Sequence, residues 1–102
     1  MKKEYIASGF VLGKNWGGGF GAYASREIKA RSKAELLKLT RQDLKSGALD
    51  SGMGFEFLKG ARLDIKEISR VIVKGKEYER AEYITEFIGN LTESEQDFLL
   101  EL

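Results

Sequence analysis

The sequence predicts a single α+β domain spanning residues 1–102: a four-stranded antiparallel sheet in the order β-β-α-β-β-α, with helices on one face. Three observations predict it. Alternating apolar residues fall into two neighbouring pairs of segments, each pair joined by a glycine-bearing turn. Two stretches, Ser32-Lys33-Ala34-Glu35 and Thr92-Glu93-Ser94-Glu95, carry the pattern in which hydroxyl and carboxylate cap a helix start reciprocally. Twelve glycines and no proline leave glycine as the residue that turns the chain.

Lys3–Leu12 is expected as the first strand, with Tyr5, Ala7, Gly9 and Val11 on one side and Ile6, Phe10 and Leu12 on the other. Gly13–Gly19 is its connection, and Phe20–Ile28 the second strand of a hairpin. Leu36, Leu37, Leu39 and Leu44 recur at helical spacing, so a helix is expected over 33–46, closed by Gly47 as a left-handed cap. The pattern breaks from Ala48 to Gly60. Alternation resumes over Ala61–Lys74, where Ile68 is out of phase with Leu63 and Ile65 and predicts a bulge or break near Glu67–Ser69. Lys74-Gly75-Lys76 is a tight turn into a fourth strand over Glu77–Ile88. A short acidic helix closes the chain, with Phe98, Leu99 and Leu102 as its apolar stripe.

The composition, 42% hydrophobic and 32% charged, is that of an ordinary globular domain. The chain has no cysteine, hence no disulfide, thiolate nucleophile or zinc-thiolate site. It has no histidine, which removes the commonest general base and transition-metal ligand. No catalytic residue, metal or cofactor is expected, and the protein is read as a non-enzyme. No signal peptide or membrane span is expected, and the absence of cysteine fits the cytoplasm. The net charge of +1 conceals a gradient: +5 over residues 1–33, +3 over 34–76 and −7 over 77–102. Folding either separates these into a positive and a negative side or sets them side by side to neutralise each other.

Two glycine-rich stretches are candidate sites. In the first, Asn15, Trp16, Gly17, Gly18 and Gly19 lead to Tyr23 and Arg26; successive glycine amides can nest an anion while Trp16 or Tyr23 stacks on a base. The alternative is a hairpin loop with Trp16 folded back onto the sheet. In the second, Asp50, Ser51 and Met53 with their neighbouring glycines could hold a polar ligand or partner group, or form an irregular connection anchored by Phe55, Phe57 and Leu58. Lys38, Arg41 and Lys45 share a helix face that could meet phosphates. Glu79, Glu82 and Glu86 form a candidate acidic partner surface, able with the acidic C-terminal helix to imitate a nucleic-acid backbone. Exposed sheet edges could also be covered by a second copy.

Trp16-Gly17-Gly18-Gly19-Phe20-Gly21-Ala22-Tyr23, together with Leu49–Phe55 and the ending Glu95-Gln96-Asp97-Phe98-Leu99, resembles small uncharacterised proteins of phages and prophages of Gram-positive bacteria. In size and character, not in motif, the chain also looks like anti-CRISPR and other phage anti-defence proteins. The resemblance implies a phage or mobile-element accessory protein that binds and inhibits a host defence protein. It brings no catalytic residue. A nucleotide-sequestering protein and a nucleic-acid-binding module are the alternatives.

Overall fold

The computed structural model describes residues 2–50 and 55–102. Its elements are β1 (Lys2–Lys14), β2 (Phe20–Ala24), β3 (Ile28–Ala30), α1 (Lys33–Ser46), β4 (Phe57–Val73), β5 (Lys76–Gly89) and α2 (Glu93–Leu100). The five strands make one antiparallel sheet, β2-β1-β4-β5, with β3 also paired to β1. The α+β class and antiparallel sheet expected from sequence are present. The strand count and order differ: five strands rather than four, in the order β-β-β-α-β-β-α.

The extra strand arises because the expected strand Phe20–Ile28 breaks. β2 pairs with Phe10–Lys14 and β3 with Tyr5–Ala7, and between them the chain leaves the ladder. There Ser25 N–H donates to the Gly9 carbonyl (2.8 Å) and Arg26 N–H to the Leu49 carbonyl (2.8 Å). The second bond ties the sheet edge to the exit of α1, a tertiary contact that no local pattern announces. A Cβ at Gly9 would overlap the Arg62 carbonyl oxygen, so this crossing point accepts only glycine.

β4 begins earlier than expected and runs in continuous register with β5 from Gly60 to Val73. No break occurs at Glu67–Ser69; the irregularity lies between Leu12 and Gly13 of β1, where the register with β4 shifts past Lys59. Ile68 is out of phase because it points to the other face, where it is buried.

That second face corrects another expectation, because the helices cover opposite faces. α1 lies on the face that carries Tyr5, Ala7, Val11, Ala61, Leu63 and Ile65, and its Leu36 is fully buried among them. Lys33 of α1 pairs with Glu86, the residue directly opposite Leu63. α2 takes the other side: Arg62, which points away from Leu63, donates to the Leu99 carbonyl (2.8 Å). Of the expected α2 stripe only Leu99 is buried; Phe98 and Leu102 are about half exposed.

Both helix starts carry the expected hydroxyl cap, but the reciprocal carboxylate bond is seen only on α2 and not from Glu35 on α1. Ser32 Oγ accepts from Glu35 N–H, and Gly47 closes α1 at φ 82°. Thr92 and Glu95 form the full reciprocal box on α2. No described helix is long and apolar enough to cross a membrane.

The molecule is long. Seventeen residues of β4 span roughly 56 Å as strand, close to the 59 Å principal extent. Beyond Lys2, the outermost paired residue of β1, β4 and β5 continue as a short two-stranded arm over residues 71–78, and residues 70–83 are all exposed.

Candidate functional site

The chain reverses between β1 and β2 through Asn15–Gly19. Asn15 N–H donates to the Gly19 carbonyl (2.7 Å) and Gly18 N–H to the Asn15 carbonyl (2.9 Å). Of the glycine amides that an anion nest would use, Gly18's is therefore turned into the loop. Gly18 takes the left-handed φ of 92° that lets the loop close. Trp16 is 75% exposed and is not folded back onto the sheet.

Around this loop the sheet gathers aromatic side chains at one end. Phe20 and Phe57, both about half exposed, meet edge to face at 6.4 Å. Tyr23 leans on Phe55 at 5.3 Å. Lys59 Nζ lies 5.7 Å from the Phe20 ring and bonds both carboxylate oxygens of Glu95 (2.6 and 2.8 Å), linking the aromatic end to α2. That bond, with the Thr92 amide, holds the Glu95 carboxyl below its ordinary value. Across the molecule, hydrogen bonding from Lys3 to Glu67 raises Lys3 above its ordinary value.

The flanks of the two glycine-rich stretches adjoin. Glu56 N–H donates to the Lys14 carbonyl (2.8 Å), and the Lys14 and Glu56 side chains lie 3.8 Å apart. Asp50 is buried and accepts from Phe55 N–H (3.4 Å). The Arg26 side chain is exposed. Ser51 and Met53 lie outside the described residues.

The acidic trio does not form one surface. Glu79 points to one face, 3.6 Å from Arg70; Glu82 and Glu86 point to the other, paired with Arg80 (3.2 Å) and Lys33. Arg70–Glu79, Lys33–Glu86 and Lys59–Glu95 each set a C-terminal acid beside a cation from earlier in the chain. Lys38, Arg41 and Lys45 remain exposed on α1.

Sequence reasoning missed one feature. An open cleft of about 680 Å³ is lined by Lys2, Lys3, Lys29, Arg31 and Arg70, with Glu4 and Glu35. Its cations come from distant parts of the chain, so no spacing could signal it. Comparison with family models, curated proteins and solved structures finds no match to this chain.

Proposed function

We propose that this chain is a non-enzymatic phage or mobile-element accessory protein that inhibits a host defence system by binding a protein effector, with its aromatic end as the binding surface. The observation that carries the proposal is the exposure at that end of the sheet of Trp16 and of the Phe20–Phe57 pair, which lies on one face, with Tyr23 exposed on the other. Large rigid aromatics dominate protein interfaces because they bury much apolar area at little entropic cost. The segment that carries the resemblance to phage proteins, Trp16–Tyr23, builds much of this end. The acidic-surface mechanism is less well supported, since Glu79, Glu82 and Glu86 divide between faces and already have cationic neighbours.

Nucleotide sequestration is the second reading, favoured by an exposed indole beside glycine amides. One experiment separates the two. Bacteria with an active defence system, such as CRISPR interference, are challenged with phage while expressing the wild-type chain or Trp16→Ala/Phe20→Ser. Protection of the phage by wild type and its loss in the folded variant supports the proposal. Equal protection by both removes the aromatic end from the mechanism. Trp16 is the only tryptophan, so its fluorescence reports binding directly. A shift with purified effector supports protein binding, whereas a shift with free nucleotides alone supports sequestration.

A further inference from the structure

Among the described residues β5 is an edge strand, bonded to β4 on one side and to no other strand along its opposite edge. Lys74 (φ 50°) and Gly75 (φ 77°) form a two-residue loop of the primed type, so Val73 and Lys76 close it as a hydrogen-bonded pair. Even-numbered residues of β5 then bond inward to β4. Glu77, Glu79, Ala81, Tyr83 and Thr85 direct their N–H and C=O groups outward. Such an edge is a template for another strand unless its side chains oppose pairing.

Its side chains suit a second copy of themselves. A two-fold axis normal to the sheet pairs antiparallel strands residue for residue and keeps each face continuous. Placed on Glu79, Arg80 or Glu82, the axis sets like charges directly against each other. Placed on Ala81, Tyr83 or Thr85, it sets none, and of these Ala81 makes the most pairs of opposite charge. Arg80 then faces the partner's Glu82, Lys76 the partner's Glu86, and Tyr78 the partner's Ile84, each contact occurring twice.

Arg80 and Glu82 of the two chains form a square of alternating charge on one face over the axis, while Ala81 meets its own copy on the other face. Glu82 gains most, because its cross-strand neighbour within the chain is Glu67, a like charge. Rows of apolar side chains also become continuous. Val71 and Tyr78, opposed within the chain, extend to Ile84 and Ile65 of the partner subunit. Tyr78, Val71 and Tyr83 are 56%, 39% and 75% exposed in the single chain.

We infer that the chain forms a symmetric homodimer by antiparallel pairing of β5 edges about Ala81, joining two sheets into one. The inference is independent of the proposed function: the arm lies at the opposite end of the sheet from Trp16. The dimer presents two aromatic ends, one at each extremity.

Charge exchange tests the register. Arg80→Glu and Glu82→Arg are single substitutions at exposed positions, and each sets like charges together twice in its own homodimer. Each is expected to weaken self-association about thirtyfold. Mixed in equal amounts, the two variants place opposite charges together at both contacts and should form a one-to-one heterodimer. Sedimentation velocity and native mass spectrometry read all three samples, with circular dichroism confirming that each is folded. A monomeric wild type at high concentration overturns the inference, as does a mixture that fails to form heterodimers. Hydrogen exchange gives a second readout: the outward amides of Glu79, Ala81 and Tyr83 should slow as wild-type concentration rises. Exchange independent of concentration also overturns it.

Discussion

Single residues hold this fold at points where one atom decides the outcome. Gly9 passes so close to β4 that any side chain meets the Arg62 carbonyl. Gly9→Ala is expected to cost at least about 2 kcal/mol, read as a lower denaturant midpoint at unchanged slope. Lys59 and Glu95 act together at the start of α2. Because the folded Glu95 carboxyl titrates below its ordinary value, its contribution is full above the unfolded pKa of about 4.3. It is lost as pH falls through the depressed folded value. Lys59→Met should therefore flatten the acid limb of the stability profile in urea titrations between neutral and acid pH. Lys3 has the opposite sign: its pairing with Glu67 is fully present below the unfolded pKa of about 10.4 and is lost as pH rises through the raised folded value.

At the scale of elements, stability is concentrated in the middle of the sheet and falls away along the arm. Leu36 of α1 is completely buried against β1 and β4, whereas Ile72 near the arm's tip is 74% exposed. Leu36→Ala should cost about 3 kcal/mol in chemical denaturation, and Ile72→Ala should change stability by no more than about 0.5 kcal/mol. An arm that contributes so little to the folded monomer retains exposed valine, isoleucine and tyrosine, consistent with contacts made outside the chain. The helices were legible from local chemistry: Ser32, Thr92 and Gly47 act within one turn of their own positions. The division of β2 from β3 was not, because Arg26 leaves the ladder for Leu49, more than twenty residues away.

The whole molecule is an elongated plate rather than a sphere. Its radius of gyration of 15.5 Å exceeds the roughly 13 Å of a compact domain of this length. Small-angle scattering should show this elongation at low concentration, and a rise in apparent size at high concentration if the β5 edges pair. Three acids of the C-terminal third, Glu79, Glu86 and Glu95, each lie beside a cation from earlier in the chain. A charge sum over sequence cannot anticipate this; ion pairing depends on which strands become neighbours.

The sequence by itself determined the class, the caps, the position of α1 and the hairpin turn at Lys74–Gly75, because each depends on residues within a few positions of one another. It also singled out Trp16 and its glycines, although not that the indole stands in solvent while the Asn15 and Gly18 amides bond inward. Only the tertiary structure decided that the edge strand divides, that the helices take opposite faces and that β5 is left with an open edge. These outcomes depend on contacts between residues far apart in sequence. Alternation states that a side chain faces one side or the other, and only packing determines what covers that side.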